Sequence, residues 1–257
     1  MSPRRIGMIV PSSNTTMETE VPELLRRHAA AADTTFTMHS SRAVLHTVDS
    51  ESLHRMVGEG GRCAAELSDA RVEVIGYACL IALMAEGPRA HERIEPHLEQ
   101  VAADNGHSAP IVSSAGALVR TILGMNLQRV AIVTPYMPPL TRMVADYLSA
   151  YDIEVVDSIS LAVDDNHAVG DLDPAGLPVH ARQLDRSRAE GLVLSACVQM
   201  PSLPAVQTVQ DELGLPVLTA ATSTARELLA ALDLPTDIPG SGAALQQAGS
   251  TEAVIRA

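Results

Sequence analysis

Short apolar runs that alternate with longer amphipathic stretches constrain the fold of this chain more than any other feature of its sequence. The pattern is typical of parallel strands, because a parallel connection needs a crossover that is usually a helix. The predicted strands are residues 5–10, 34–40, 72–79, 110–114, 129–134, 153–161, 191–197 and 216–220. The predicted helices are residues 50–70, 88–104, 115–125, 138–151, 173–188, 203–213 and 221–232. The sequence therefore predicts an α/β fold built on parallel sheets.

A weak internal repeat divides the chain into two similar parts. RIGMIVP at 5–11 and RVAIVTP at 129–135 both read as arginine, an apolar run and a proline at the strand end. VEVIGYAC at 72–79 and GLVLSAC at 191–197 both read as a buried strand that ends in cysteine. Repeated supersecondary units predict two pseudo-symmetric lobes, each a parallel sheet flanked by helices.

The lobes can be given provisional boundaries. We assign residues 1–115, together with 216–235, to an N-terminal lobe and residues 116–215 to a C-terminal lobe. The remaining residues, 236–257, are rich in Gly, Ala, Ser and Gln and have no strong hydrophobic period. We expect them to form a loosely held C-terminal tail.

Composition excludes several classes of function. The chain has 257 residues, 46% of them hydrophobic, so it can bury a sizeable core, yet no apolar run approaches the roughly 20 residues that span a bilayer. A net charge of −13, few aromatic residues and no basic stripe argue against nucleic-acid binding. All 18 basic residues are arginine, which excludes lysine Schiff bases and phosphate-loop lysines. Three widely spaced cysteines and no secretion signal predict a cytoplasmic chain with free thiols.

Residues whose side chains could take part in binding or catalysis lie at the predicted strand ends, where open α/β sheets carry their functional groups. These positions hold Pro11 to Asn14, Cys79, Tyr136 and Cys197. A lone buried cysteine is usually a packing residue, and Cys63 within a helical stretch keeps that interpretation. Two thiols at equivalent repeat positions are better explained by catalysis, since facing lobes would bring them together across a cleft.

The stretch PSSNTTMETE at 11–20 allows three interpretations. Asn14-Thr15-Thr16 fits an N-glycosylation sequon, but nothing directs the chain to a secretory compartment. Thr15 and Glu18 have the spacing of a helix capping box. Hydroxyl, amide and backbone N–H groups together could instead bind an anion.

Five segments carry a family resemblance: PSSNTTMETE, GYACLIALM around Cys79, TPYMPPLT at 134–141, DDNHAVG at 164–170 and SACVQMPSL around Cys197. They resemble, in order, the maleate cis–trans isomerases of the aspartate/glutamate racemase superfamily, over residues 5–204. The resemblance implies a two-lobed fold with the site between the lobes, a homodimer, and neither a metal nor an organic cofactor.

The resemblance also implies residue roles. Cys79 matches the family's nucleophile, Cys197 its second catalytic cysteine and Asn14 its carboxylate-binding asparagine, while Tyr136 and Asn166 match the remaining substrate contacts. A thiolate that adds to the double bond of maleate makes that bond single, so rotation and expulsion of the thiolate give fumarate. We expect Ser12 and Ser13 to supply further uncharged donors to the developing negative charge.

The roles of the two thiols are predicted from the residues that follow each of them in the sequence. Cys79 precedes an apolar run that could begin a buried helix, where amide donors would lower the pKa of the attacking thiol. Cys197 precedes a more polar turn, in which a protonated thiol is easier to retain. We therefore expect Cys79 to attack and Cys197 to act as the acid–base partner.

Two other functions compete with isomerisation. A two-cysteine racemase acting on an amino acid has to hold an ammonium group, yet no Asp or Glu lies within five residues of Cys79 or Cys197. A small-anion binding protein without catalysis would need the cleft but not the thiols. The net charge opposes capture of a dianion, although salt screens surface charges beyond roughly 10 Å.

Metal sites are not indicated by the sequence. In HERIEPH at 91–97 the histidines are six residues apart and cannot share a helix face as those of a zinc helix do. DDNHAVGD at 164–171 lacks the glycine and the terminal glutamate of a calcium loop. His167, within that stretch, is by default a structural histidine.

Overall fold

The computed structural model describes residues 2–32 and 34–246, which form two four-stranded parallel sheets. The first sheet contains β1 (Arg4–Pro11), β2 (Phe36–Ala43), β3 (Val74–Tyr77) and β4 (Ile111–Ser113), in the order β2-β1-β3-β4. The second contains β5 (Arg129–Thr134), β6 (Glu154–Ser160), β7 (Gly191–Ser195) and β8 (Val217–Thr219), in the order β6-β5-β7-β8. All eight predicted strands are therefore confirmed, with bounds that differ by a few residues.

The two sheets repeat one topology. In each of them the first strand of the half, β1 or β5, pairs with the second and third strands of that half. β3 and β7 are buried along their whole length, as expected for parallel strands covered on both faces. The predicted α/β fold with two pseudo-symmetric lobes is confirmed.

Ten α-helices are found among the described residues. They are α1 (Met17–Ala31), α2 (Ser50–Asp69), α3 (Leu80–Ala85), α4 (His91–Asp104), α5 (Ser114–Gly124), α6 (Pro138–Ser149), α7 (Asn166–Gly170), α8 (Leu177–Gln183), α9 (Leu203–Leu213) and α10 (Ala220–Ala231). The sequence prediction omitted α1, α3 and α7. It also extended the helix at 173–188 too far, because a 3₁₀ turn at Pro174–Gly176 precedes α8, which ends at Gln183.

The segment 216–235, which the sequence analysis assigned to the first lobe, is shared between both halves. Strand β8 pairs with β7 in the second sheet, whereas α10 packs against α1 and α5. The proposed lobe boundaries remain a prediction, and the first of them, at residues 115 and 116, lies within α5.

The segment 236–246 is packed rather than loosely held. Ile238, Ala244 and Leu245 are fully buried, and the Ile238 N–H donates to the Leu245 carbonyl. The Arg226 guanidinium on α10 donates to the Ala244 carbonyl, 3.0 Å away. The expectation of a loose tail is therefore wrong for these residues, and 247–257 lie outside the described part of the chain.

The two halves are joined by a polar seam, which we define as Asn14, Thr16 and Glu20 on one side and the segment 198–203 on the other. The Thr16 hydroxyl donates to the Gln199 carbonyl at 2.6 Å. Glu20, a buried residue of α1, accepts from the N–H groups of Ser202 and Leu203 at 2.5 and 2.6 Å. Its carboxylate thereby satisfies donors at the start of α9, a role usually filled by a local capping residue.

The described helices do not include a membrane-spanning one. Within residues 2–32 and 34–246, no helix combines the length and the apolar character needed to cross a bilayer.

Candidate active site

Cys79 and Cys197 occupy equivalent positions in the two halves. Cys79 follows β3 and is the N-cap residue of α3, while Cys197 lies two residues beyond the end of β7. Both side chains are 3% exposed. The sulfur of Cys197 lies near enough to raise the pKa of Cys79, so the fold brings the two thiols together as the sequence analysis expected.

Neither thiol of this pair has a lowered pKa. Burial raises the pKa of Cys79 to about 12, opposed only by one hydrogen bond from the Ala82 N–H. Burial also raises the pKa of Cys197, but three donors oppose it, namely the Tyr136 hydroxyl and the N–H groups of Gln199 and Met200. The expectation of a lowered pKa at Cys79 is wrong, because loss of hydration outweighs what one amide at a helix start supplies.

Cys63, the third thiol, lies apart from this pair in α2. It is fully buried, and burial raises its pKa. The Ser41 hydroxyl on β2 opposes this rise, so its surroundings belong to the first lobe alone. The structure supports the interpretation of Cys63 as a packing residue.

Asn14 connects the loop after β1 to the loop that carries Cys197. Its side chain is fully buried, and its Nδ2 donates to the Val198 carbonyl at 3.1 Å. Its Oδ1 accepts from the Met17 N–H at 3.0 Å, so it also caps α1. The predicted helix start is thus confirmed, but the Thr15–Glu18 capping box does not form, because the Asn14 side chain accepts from the first turn instead. The second hydrogen of Nδ2 has no acceptor among the described residues, and anion binding by this stretch remains a prediction.

Ser12 and Ser13 hold neighbouring loops together in this structure. Both hydroxyls donate to the Leu45 carbonyl, at 3.4 and 2.9 Å. Asn166, the first residue of α7, donates from Nδ2 to the Ser13 hydroxyl oxygen at 2.7 Å. The roles of these three residues as substrate donors remain predictions.

Tyr136 follows β5 and faces both thiols. Its side chain is 5% exposed, and burial together with the nearby sulfurs of Cys197 and Cys79 raises the pKa of its hydroxyl well above the usual value. The hydroxyl is therefore a neutral donor at physiological pH. Tyr136 and Asn166 also line a cavity of about 120 Å³, whose other walls are Val48, Met137, Leu140, Val163, Asp164 and Val169.

Several backbone N–H groups that follow β3 and β7 have no acceptor among the described residues. The N–H groups of Cys79, Leu80 and Ile81, and those of Cys197 and Val198, donate to no atom within the described ranges, although all five residues are buried. Buried N–H groups are rarely left without an acceptor. The arrangement suits an anion with several oxygen atoms, such as a dicarboxylate.

The sequence analysis missed two residues that shape this region. The Arg42 guanidinium at the end of β2 donates to the Ser12 and Asn14 carbonyls at 2.9 and 3.1 Å, and pairs with Glu18. The Gln199 side chain contacts the loop after β1 and the start of α7. Gln199 lies within the motif SACVQMPSL, which could have drawn attention to it. Arg42 reaches this region only because β2 pairs with β1, and no local sequence pattern indicates that contact.

A metal site is not formed by the described residues. No three side chains of His, Cys, Asp or Glu are arranged there to hold an ion. His167 is exposed on α7 beside the carboxylate of Asp171, 3.4 Å away. The donors around the two thiols are thus hydroxyl, amide and backbone groups.

Comparison with known proteins gives consistent results. Residues 6–245 match the arylmalonate decarboxylase family. The maleate isomerase of Geobacillus stearothermophilus is 53% identical over 242 residues, covering 94% of this chain and 96% of that protein. The crystal structure of a Pseudomonas putida S16 maleate isomerase variant with maleate superposes with a TM-score of 0.94 at 46% identity, covering 96% and 99% of the two chains.

A second solved structure bears on the chemistry. A Nocardia farcinica maleate cis–trans isomerase, in which a serine replaces a cysteine, contains a covalently bound succinylcysteine intermediate. It superposes on this chain with a TM-score of 0.92 at 46% identity, covering 96% of this chain and all of that one.

Proposed function

Since the chain belongs to the maleate isomerase family, we propose that it converts maleate into fumarate by reversible addition of the Cys79 sulfur to the double bond. Cys197 acts as the acid–base partner of Cys79. The observation that carries this proposal is the pair of buried thiols at equivalent strand ends, close enough to affect one another. The succinylcysteine of the Nocardia farcinica relative supports the covalent step.

The two sulfurs differ in the number of hydrogen bonds that they accept, and this difference assigns their roles before substrate binds. When the pair loses one proton, the charge is better supported on Cys197, which has three donors where Cys79 has one. Cys197 is therefore the base. It takes the proton from Cys79 as the Cys79 sulfur attacks, so a free Cys79 thiolate does not have to accumulate. This assignment keeps Cys79 as nucleophile without requiring a lowered pKa, and it replaces the expectation that Cys197 is the thiol that retains its proton before attack.

The addition step balances as follows. The S–H bond of Cys79 breaks as its proton passes to Cys197, and a bond forms between the Cys79 sulfur and one alkene carbon. The π electrons move to the other alkene carbon and into its carboxylate, which becomes an enediolate. Cys197 then returns the proton to that carbon, which gives a succinyl thioether. In this adduct the former double bond is a single bond and can rotate.

The second half reverses these steps after rotation. Cys197 removes a proton from the same carbon, the electron pair re-forms the double bond, and the Cys79 sulfur leaves and recovers its proton. Because rotation has placed the carboxylates on opposite sides, the product is fumarate. No external oxidant or reductant is consumed, since maleate and fumarate are isomers and both sulfurs end in the oxidation and protonation states in which they began.

Uncharged donors hold the carboxylates in this scheme. We assign them to Asn14 and to the free N–H groups after β3 and β7, with Asn166 at the edge of the cavity. The Tyr136 hydroxyl joins them when its single hydrogen turns from the Cys197 sulfur to the substrate. Donors fixed before the reaction stabilise the enediolate most, because they need no reorganisation as its charge develops. Ser12 and Ser13 would contribute only if their hydroxyls turned away from Leu45.

Three further parts of the proposal concern the protein as a whole. The reaction uses neither a metal nor an organic cofactor. The site lies between two lobes, of residues 1–115 with 216–235 and of residues 116–215. The active species is a homodimer, an assembly that sedimentation equilibrium of the purified protein would check.

The experiment that tests the function is direct. Purified protein is mixed with maleate in a metal-free buffer, and fumarate is followed by proton NMR. We expect fumarate to accumulate, whereas Cys79→Ser and Cys197→Ser proteins of equal fold should form almost none. Wild-type protein that binds maleate without converting it would favour a small-anion binding protein. Turnover of a chiral amino acid in its place would favour a racemase.

A further inference from the structure

The carboxamide of Gln199 is buried and fully engaged. Its side chain lies in the polar seam, and the residue is 3% exposed. Oε1 accepts from the Thr15 N–H at 3.1 Å, while Nε2 donates to the Ser13 carbonyl at 3.0 Å and to the Asn166 carbonyl at 3.1 Å. These partners fix which end is oxygen, because the reverse orientation would set an NH₂ against an N–H and an oxygen against two carbonyls.

The main chain of Gln199 is bound as closely as its side chain. Its N–H donates to the Cys197 sulfur at 3.3 Å, and its carbonyl accepts from the Thr16 hydroxyl at 2.6 Å. One residue therefore contacts the acid–base sulfur through its amide and the opposite half of the molecule through three other groups. Rotation of the turn after Cys197 would break all of these contacts together.

Gly170 leaves the room that the carboxamide occupies. A Cβ at this position would lie 2.7 Å from Gln199 Nε2 and 3.0 Å from the Thr15 hydroxyl oxygen. Both distances are shorter than ordinary contacts, so a side chain at the end of α7 would displace Gln199. The fold thus brings three segments together around this one side chain.

We propose that Gln199 is a positioning residue, whose carboxamide holds the loop after β1, the start of α7 and the turn after Cys197 in a single arrangement. Ser13 and Thr15 flank Asn14, and the third partner of the carboxamide is Asn166 itself. Gln199 thereby sets the separation between the predicted carboxylate donors and the acid–base sulfur without contacting the substrate. This role of Gln199 rests on the proposed function only for its kinetic test.

The first test replaces Gln199 with Met, which has a similar length and forms none of the three side-chain hydrogen bonds. We expect kcat for maleate to fall about 10- to 100-fold and KM to change far less, since small displacements of reacting groups are this costly. Gln100→Met is the matched control, because Gln100 lies on α4 and its side chain donates only to Asp104 in the same helix. That variant should keep wild-type kinetics.

The second test does not depend on maleate. Iodoacetamide labelling of each cysteine, followed by peptide mass spectrometry, gives the pH midpoint for Cys197. With the turn released, the Gln199→Met protein should shift this midpoint upward by about one pH unit, as expected for a weakened hydrogen bond to a charged sulfur. The titratable groups that face this sulfur, Cys79 and Tyr136, are unchanged in the variant. Cys63 is fully buried in α2, so it should stay unlabelled and thereby shows that the protein remains folded during the experiment.

A third variant covers the case in which Gln199→Met fails to fold. Gly170→Ala keeps the carboxamide but displaces it, so it should reproduce both the loss of kcat and the shift at Cys197 to a smaller extent. Folded Gln199→Met protein with wild-type kcat and an unshifted Cys197 midpoint would overturn the proposal, as would a Gly170→Ala protein unchanged in both. If wild-type protein does not convert maleate, the proposed function fails, and the labelling experiment decides the role of Gln199 alone.

Discussion

Asn14 Nδ2 lies 3.1 Å from the carbonyl oxygen of Val198, so an asparagine after the first strand bonds directly to the residue that follows Cys197. The same side chain caps α1 through its Oδ1. A substitution can separate these two functions. Aspartate keeps the oxygen that accepts from the Met17 N–H but has no hydrogen for Val198 or for a substrate carboxylate.

We therefore predict that Asn14→Asp loses turnover but keeps the cap on α1, with some loss of stability because its buried carboxylate faces the Val198 carbonyl. Loss of a donor to developing negative charge should reduce kcat by about 10²- to 10³-fold, and the added charge should raise KM for a dianion. Steady-state kinetics and thermal unfolding measure the two effects separately. Ser2→Ala, at an exposed position, is the control. Near-normal kinetics in Asn14→Asp would show that Asn14 only caps α1 and does not bind the substrate.

The Cys197→Ser protein should accumulate an adduct. It retains the nucleophile, and because the adduct has to form only once, slow attack by Cys79 with water exchanging the protons in place of Cys197 is sufficient. Each elimination needs the thiol that removes the carbon-bound proton, so maleate should remain as a succinyl thioether on Cys79. Mass spectrometry of the peptide that contains Cys79 would show the added mass of maleate. The Cys79→Ser protein should show no adduct, and one found on its Cys197 would reverse the assigned roles.

Ionisation of Cys79 should affect folding stability at alkaline pH. Its pKa is raised in the folded state, so the unfolded chain loses this proton first, and stability falls as pH rises from about 9 towards about 12. A rise from 9.0 to about 12 corresponds to roughly 4 kcal/mol, at about 1.36 kcal/mol per pKa unit. Urea unfolding across this range should show a smaller decline for Cys79→Ala than for wild type. Equal declines would contradict the raised pKa.

Burial raises the pKa of Glu20, while its oxygen atoms accept from the N–H groups of Ser202 and Leu203 in the polar seam. We expect Glu20→Ala to lose several kcal/mol of unfolding free energy, because the N–H groups of Ser202 and Leu203 would stay buried without an acceptor, at about 1 to 3 kcal/mol each. Glu20→Gln keeps one acceptor oxygen and should lose far less. Urea denaturation compares the two variants, and similar losses would show that the charge is what matters.

Prolonged dialysis against a chelator should leave the isomerisation rate unchanged. The described residues contain no group of three metal-binding side chains, and the proposed chemistry needs only the two thiols and uncharged donors. The measurement is the fumarate rate before and after dialysis. Activity that disappears on chelation and returns with a divalent ion would contradict a cofactor-free reaction.

Most strands of the sheets could be predicted from sequence because they are short apolar runs that end at polar or proline residues. Strands β2 and β6 include several polar residues, as strands at the edge of a sheet can. Helices α3 and α7 were not among the predicted helices, since six and five residues are too few to show a helical period, although a helix start after Cys79 was expected. Helix α7 begins at a local cap, because the Asp165 side chain accepts from the N–H groups of His167 and Ala168. Helix α1 was missed because its apolar positions begin within a polar stretch and include Pro22.

Site positions were easier to predict than site energetics. The approach of Cys79 to Cys197 follows from strand ends and an internal repeat, both visible in the sequence. The raised pKa of Cys79 depends on how completely two lobes remove water, and the Ser13 hydroxyl finds the Leu45 carbonyl only through the path of a distant loop. Interactions of this kind need the packed structure, because their partners are far apart in sequence.

The free N–H groups after β3 and β7 affect how this site can change during evolution. One substitution removes a side-chain donor, whereas a backbone N–H disappears only when proline replaces the residue. Mutations at Leu80, Ile81 or Val198 can therefore change the side chains beside the two thiols while the amides stay in place. We expect descendants of this chain to acquire new substrates by altering those side chains, and to remain binders of anions as they do so.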